Sequence, residues 1–111
     1  MTTTVAPGLA VSAFVELLVA RDFRVTVALD EAIVAERPVL GVRHALRRVV
    51  GQRNDDGTFR IGYLFARAGQ PGGPVYENEL VAREPRCRDI AQLTHWLTIQ
   101  DARVFPRRAT V

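Results

Sequence analysis

The feature that most constrains the fold is a turn followed by a strand near the middle of the chain. Residues Asn54-Asp55-Asp56-Gly57 combine Asx side chains, which hydrogen-bond to nearby backbone, with a glycine that tolerates positive φ. Phe59, Ile61, Tyr63 and Phe65 then alternate with Arg60, Gly62, Leu64 and Ala66. A period of two predicts a strand with one buried face. We therefore expect a turn that leads into a strand whose aromatic and aliphatic row lies in the core.

The segment before this turn has the pattern of a basic helix. Between residues 39 and 50, apolar side chains recur at spacings of three and four: Val39, Val42, Leu46, Val49 and Val50. Such a stripe is typical of a helix that lies on a core, and Pro38 is suited to its first turn. Arg43, His44, Arg47 and Arg48 fall mostly on the other side. The segment therefore predicts a helix with an outward basic face.

Residues 23–36 are open to two interpretations. Their apolar side chains fit the alternation of one long strand: Val25, Val27, Leu29 and Ile33. Alternatively, residues 24–27 form a short strand and residues 28–36 a short helix. In that case Asp30 and Glu31 lie in the first turn of the helix, where its dipole favours acidic side chains.

Both ends of the chain have helical patterns. An apolar stripe predicts a helix over residues 9–21, formed by Val11, Phe14, Val15 and Leu18. A second helix is predicted from Asp89, a good N-cap, to Gln100. Its apolar row is Ile90, Leu93 and Leu97, with Trp96 beside them. Between the turn and this helix, residues 75–82 can form a further strand with Tyr76, Leu80 and Ala82 on one face.

With a short helix at residues 28–36, the order of elements over residues 11–65 resembles a winged helix-turn-helix domain. In this resemblance LDEAIVAE is the positioning helix, VLGVRHALRRVV the recognition helix, and QRNDDGTFRIGYLF the wing. The fold it implies is a small single α+β domain: helix, short strand, two helices, β-hairpin, extra strand and C-terminal helix. The function it implies is non-catalytic binding of duplex DNA, as in transcription regulators.

The resemblance also implies a set of contacts to DNA. The Arg-rich helix would enter a major groove, with Arg43 and Arg47, or His44 and Arg48, facing bases or phosphates. Arg53 and Arg60, on either side of the turn, would contact the backbone as a wing does. Such domains usually act as dimers, and the C-terminal helix around Leu93, Trp96 and Leu97 is the element expected to form a homodimer.

The other interpretation of residues 23–53 predicts a different α+β architecture. The chain is then a helix, three or four antiparallel strands and a second helix, with both helices on one face of the sheet. Val50 and Leu46 would pair with the 59–65 strand across the turn. Many domains of this kind are adaptors, chaperones or complex subunits, and the arginines would then meet an acidic protein partner or face water. Whether residues 39–50 are helix or strand separates the two predictions.

The basic excess is confined to the centre of the chain. The net charge is +3, and all 15 basic residues are arginine. Residues 38–68 contain six Arg and two Asp, whereas the remainder contains nine Arg and ten acidic residues. A local basic patch attracts phosphate, and guanidinium groups also suit carboxylates. A solvated helix face gives the same pattern.

The sequence has no signature of an enzyme, a cofactor or a metal site. Ser12 is the only serine, and the two histidines, His44 and His95, have no acidic partner at a motif spacing. Cys87 is the only cysteine, which excludes an internal disulfide and a cysteine-rich metal site. We therefore expect a binding protein without catalytic, cofactor-binding or metal-binding residues.

The domain organisation expected from the sequence is simple. Residues 1–8 form a flexible N-terminus, residues 9–101 a single globular domain, and residues 102–111 a basic C-terminal tail. An apolar run at residues 9–20 is interrupted by Glu16 and is too short to span a bilayer. We expect no membrane association and a cytoplasmic location.

Overall fold

The protein is described by a computed structural model over residues 9–39, 45–68 and 75–103. In these ranges the chain forms an α+β domain of two helices and one antiparallel sheet. The elements in order are α1 (Val11–Ala20), β1 (Arg24–Ala28), β2 (Ala32–Pro38), β3 (Ala45–Arg53), β4 (Phe59–Ala68), β5 (Val75–Cys87) and α2 (Ile90–Asp101). Each strand pairs with the next, so the sheet order is β1-β2-β3-β4-β5.

Both helices pack on the same face of the sheet. Their buried residues join one core cluster with the alternate residues of the central strands: Phe14, Leu18, Leu93 and Leu97 from the helices, and Ile33, Ala35, Val49, Phe59, Ile61 and Tyr63 from the strands. We call this side the covered face. The opposite side, on which neither described helix lies, is called the open face.

The two predicted terminal helices are confirmed, and local hydrogen bonds mark the start of α2 and the end of α1. The Asp89 carboxylate accepts a 2.9 Å hydrogen bond from the Gln92 N–H, as an N-cap does. At the end of α1, Asp22 adopts a left-handed φ of 68°, and the Phe23 N–H donates to the Leu18 carbonyl at 3.0 Å. This six-to-one bond is the usual helix-ending arrangement, and aspartate tolerates the left-handed conformation better than most residues.

The predicted turn and the strand that follows it are also confirmed. Asn54 N–H donates to the Thr58 carbonyl at 2.7 Å, and Gly57 takes a φ of 90°. The Asp56 carboxylate accepts hydrogen bonds from the Thr58 hydroxyl and N–H, and these bonds lower the pKa of Asp56. All four side chains expected in the core are buried: Phe59, Ile61, Tyr63 and Phe65.

The two central helices of the winged-helix prediction are wrong in the part of the chain that the structure describes. Most of the expected positioning helix is the strand β2, and residues 45–50 of the expected recognition helix lie in β3. Residues 40–44 are outside the described ranges. The described chain therefore keeps the hairpin, the extra strand and the C-terminal helix of the predicted order. Its helix–antiparallel sheet–helix arrangement is that of the alternative prediction, but with five strands where three or four were expected.

Residues 45–50 resemble a helix in the sequence because of the side chains that β3 turns to the core. Its core-facing positions hold Ala45, Arg47, Val49, Gly51 and Arg53. Only Val49 among them is a large apolar residue, so the period of two is not visible in the sequence. Leu46 and Val50, which completed the helical stripe, lie on the open face instead. Pairing with β2 and β4 overrides the local helical pattern, because it places Ala45 and Val49 in the core cluster between two neighbouring strands.

The structure differs from two further expectations, one for residues 23–36 and one for the strand at residues 75–82. Residues 23–36 form two strands instead of one, joined by a turn in which Leu29 and Ala32 exchange backbone hydrogen bonds. A register shift in β5 sets Leu80 opposite Leu64 and Ala82 opposite Tyr63. Leu80 and Ala82 therefore lie on opposite faces, whereas the plain alternation predicted one face. The side chain of Tyr76, expected on the same face, is outside the described part.

The close approach of α1 to β3 predicts a difference between two glycines. A Cβ on Gly51 would lie 3.0 Å from the buried Phe14 ring, whereas a Cβ on Gly62 would meet only ordinary contacts at 3.4 Å and beyond. We expect Gly51→Ala to lower the free energy of unfolding by about 1–2 kcal/mol through overpacking. The matched control Gly62→Ala should stay within about 0.5 kcal/mol of wild type. Urea unfolding measures both, and equal stabilities would contradict this packing.

Candidate functional site

The structure separates the arginines that the sequence grouped as a nucleic-acid site. Arg47 and Arg53 point to the covered face, while Arg48 and Arg60 point to the open face. Arg43 and His44 lie outside the described residues. The described four therefore do not form one basic surface, because successive residues of a strand face opposite sides of the sheet.

On the covered face, three arginines converge on one carboxylate. We call this group the arginine clasp: Arg21, Arg37, Arg47, Tyr63 and Asp101. Arg21 Nη1 lies 2.9 Å from Asp101 Oδ2, and Arg37 Nη2 lies 3.2 Å from Oδ1. Arg47 Nη1 donates to the Asp101 carbonyl at 3.0 Å, and the Tyr63 hydroxyl donates to Asp101 Oδ1.

The clasp fixes the C-terminal end of α2 to the rest of the domain. Arg21 also donates to the Thr94 carbonyl and the Thr98 hydroxyl, and Arg37 donates to the Arg21 carbonyl. Cations at this position complement the negative end of the helix dipole. The group thus ties the end of α1, two strands and α2 together, so Arg47 serves the fold.

Arg53 is engaged in a similar way at the other end of the sheet. Its guanidinium donates to three carbonyls, those of Leu9, Asp30 and Gly57, at 2.7 to 3.2 Å. It also lies 4.5 Å from the centre of the Phe59 ring. These contacts hold the segment before α1 and the two neighbouring turns, and they orient the charge inward.

The open face carries a stripe of large apolar side chains. We call it the apolar stripe, and its members are Val27, Val34, Val50, Leu64 and Leu80. Val27 pairs with Val34, Val34 with Val50, and Val50 with Gly62, while Leu64 pairs with Leu80. The stripe therefore crosses the sheet from one edge strand to the other. Val27 is 36% exposed and Leu80 46% exposed.

The glycine in this row does not interrupt the stripe. A Cβ at Gly62 would lie 3.4 Å from a methyl of Leu80 and 3.6 Å from a methyl of Leu64. Methyl groups of the two leucines therefore lie beside the glycine, within van der Waals contact of the position that a Cβ would take. The result is a continuous apolar surface from Val27 to Leu80.

Charged residues on the open face are predominantly basic. Among the described residues that pair across the sheet, four arginines lie on this face with one acidic residue, Glu36; they are Arg24, Arg48, Arg60 and Arg83. Arg48 and Glu36 form an ion pair at 2.8 Å, and Arg60 donates to the Gln52 side chain at 2.7 Å. Arg24, Arg60 and Arg83 are exposed. The apolar stripe is therefore bordered by a positive charge excess.

The sequence analysis missed the stripe, although a signal for it was present. Consecutive apolar residues occur in the central strands, as in Ile33-Val34-Ala35, Val49-Val50 and Tyr63-Leu64-Phe65. Such runs indicate strands with apolar side chains on both faces. Tyr63 and Phe65 were expected in the core, and Val49 and Val50 were both expected on the apolar side of a helix. The clasp had no comparable signal, because its members are far apart in sequence.

The residues expected to form a homodimer are largely used inside the domain. Leu93 and Leu97 are fully buried in the core cluster. Trp96 is partly buried, and its ring packs edge-on against Tyr63 with centroids 6.2 Å apart. A dimer through α2 would need its exposed residues instead, such as Ile99. The homodimer stays a prediction, because Leu93 and Leu97 have no exposed surface to offer it and Trp96 is exposed only in part.

Of the residues considered for catalysis, His95 is exposed on α2 and His44 lies outside the described ranges. Ser12 is exposed on α1, and the described residues contain no group of three His, Cys, Asp or Glu side chains that could hold a metal ion. Burial raises the pKa of the Cys87 thiol to about 11, so it is protonated at neutral pH and a poor nucleophile. Neither helix of the described chain is long and apolar enough to cross a membrane.

No protein-family model matches this sequence, and no curated protein or solved structure matches the chain.

The clasp predicts a specific role for Asp101 in stability. Its side chain is 16% exposed and is the carboxylate shared by Arg21, Arg37 and Arg47. Asp101→Asn would leave the guanidinium groups without their shared counter-charge, and we expect a loss of about 2–3 kcal/mol in unfolding free energy. The loss should shrink at high salt, which screens repulsion between the arginines. The control Asp55→Asn, in the exposed turn, should change stability by less than about 0.5 kcal/mol.

Tyr63 predicts a dependence of stability on alkaline pH. Burial, reinforced by the hydrogen bond to Asp101, raises the pKa of Tyr63 from 10.0 to about 12. The folded protein thus holds this proton more tightly than the unfolded chain does. The stabilisation is complete below pH 10 and is lost as the pH rises from 10 to about 12. The difference in unfolding free energy between wild type and Tyr63→Phe should therefore narrow over that range. A constant difference would contradict the assigned environment.

Proposed function

We propose that this protein is a non-catalytic protein-interaction module that binds its partner through the open face. The observation that carries the proposal is the apolar stripe, Val27, Val34, Val50, Leu64 and Leu80, on the side that neither described helix covers.

A continuous row of large apolar side chains is unusual on a protein surface that stays in water. An antiparallel sheet with one solvated face normally alternates between apolar residues in the core and polar residues outside. Here the three central strands have large apolar residues on both faces. A contiguous apolar patch with a polar rim is typical of a surface that binds another protein. Burying it would contribute about 25 cal/mol for each Å² removed from water.

Binding of duplex DNA is the competing proposal, and fewer observations support it. Binding to phosphates needs several basic side chains close together on one surface. Two of the four described arginines proposed for DNA, Arg47 and Arg53, instead donate hydrogen bonds to the protein's own carbonyl groups on the covered face. In the described residues the centre of the open face is aliphatic, and such side chains offer no hydrogen bonds to phosphates or base edges. For location, the cytoplasm remains our proposal, based on the single buried cysteine.

The proposal is tested by comparing what three versions of the protein capture from a lysate of its own organism. Val34→Thr/Val50→Thr removes apolar surface from the stripe but keeps β-branched side chains that suit a strand. We expect at least one protein to be captured by wild type and to be reduced about fivefold by the double variant, since a loss of about 1 kcal/mol corresponds to that factor. Quantitative mass spectrometry measures the recovery.

The matched control is Val19→Thr, because Val19 is an equally apolar residue on α1 and is 56% exposed. Its capture should equal that of wild type. Equal recovery by all three versions would contradict the proposal. Recovery that disappears after nuclease treatment would favour DNA binding instead. Circular dichroism and urea unfolding confirm that each variant is folded.

A further inference from the structure

We infer that the partner presents an acidic amphipathic α-helix, which lies across the strands with its apolar ridge on the stripe and its carboxylates against the arginines of the open face. This inference rests on the proposed function and names the chemistry of the partner. Two observations support it: the excess of positive charge on the open face and the spacing of the apolar stripe.

The charge argument starts from the arginines that border the stripe. Arg24 lies on β1, Arg60 on β4 and Arg83 on β5, and all three are exposed. Arg83 is directly opposite Gly62, so it stands at the end of the row that contains Val27, Val34 and Val50. A partner that covers the stripe must place groups near these cations. Carboxylates there gain charge-assisted hydrogen bonds, whereas basic groups are repelled.

Side chains in the undescribed segments of this sequence do not supply those carboxylates. The segments outside the described ranges are residues 1–8, 40–44, 69–74 and 104–111, and none of them contains Asp or Glu. The last of these contains Arg107 and Arg108. A second copy that docked open face to open face would bring the same four arginines and one glutamate. Charge therefore favours a different protein over both kinds of self-association.

The spacing of the stripe fits a helix that crosses the strands. Its members lie on five neighbouring strands, and adjacent strands are about 4.8 Å apart. On an α-helix, residues three or four positions apart are separated by about 4.5–6 Å along the axis. One apolar side chain per turn therefore meets one strand, and about four turns span the sheet. The matching pattern is apolar at i, i+4, i+7, i+11 and i+14, with acidic residues on both flanks.

The inference is tested with a phage-displayed library of random peptides of about 20 residues, long enough for the proposed four turns. Selection on immobilised wild-type protein should enrich sequences with apolar residues at helical spacing and an excess of Asp and Glu beside them. Their affinity, measured by fluorescence anisotropy, should fall about fivefold or more with Arg83→Glu. It should also fall between about 50 and 300 mM salt, because salt screens exposed charges.

The matched control is Arg103→Glu, which makes the same change of charge just after α2, where Arg103 contacts Gln100. It should leave the affinity of the selected peptides unchanged. Both substitutions are at exposed positions, so unfolding is not expected, and circular dichroism checks this.

The outcomes separate this inference from the proposed function. If the selected peptides lose binding in Val34→Thr/Val50→Thr but lack acidic residues or helical spacing, the open face binds proteins and the inference about the partner is wrong. If no peptide is enriched, or if binding is unaffected by the stripe variant, both are wrong. Enrichment of Lys-rich and Arg-rich peptides would overturn the charge argument. A labelled DNA duplex that binds at low salt and competes with the peptides would overturn the choice of a protein partner.

Discussion

The register of β3 on β4 is the constraint on which the rest of the structure depends. The pairing runs without interruption from Ala45 opposite Arg67 to Arg53 opposite Phe59, on either side of the Asn54–Gly57 turn. Because side chains alternate along a strand, a shift of one residue would send Val49 to the open face and Arg48 to the core. The turn chemistry of Asp56, Gly57 and Thr58 fixes this register, and with it the composition of both faces.

Given this register, the arginines that make the sequence look basic have different roles. Arg47 and Arg53 reach over the ends of the covered face and hold α2 and the segment before α1 by hydrogen bonds to carbonyl groups. Arg48 is paired with Glu36 on the other side. Guanidinium is well suited to such positions because it presents several donors in a fixed plane. A cluster of arginines in the sequence is therefore no measure of a basic surface when the segment is a strand.

The sequence predicted those parts of the fold that local chemistry decides. The Asp89 cap, the Asn54–Gly57 turn and the alternation from Phe59 to Phe65 each depend on residues near one another, and each was correct. The central strands β2 and β3 were not uniquely predicted, because their stability comes from partners distant in sequence. In β3, Arg47 and Gly51 occupy core-facing positions that a pattern search reserves for apolar residues. For the candidate site, runs such as Val49-Val50 indicated apolar side chains on both faces, but the stripe itself forms only when five strands lie side by side.

The most direct test of the central claim, that the face opposite the helices is apolar and open to water, is an NMR experiment on assigned methyl groups. A soluble paramagnetic agent should broaden the methyl signals of Val27, Val34, Val50, Leu64 and Leu80 and spare those of Val49, Leu93 and Leu97. Nuclear Overhauser contacts should connect Val34 with Val50 and Leu64 with Leu80. A Val50 methyl that is protected from the agent and in contact with Phe14 or Leu93 would contradict the register, and with it the open apolar face.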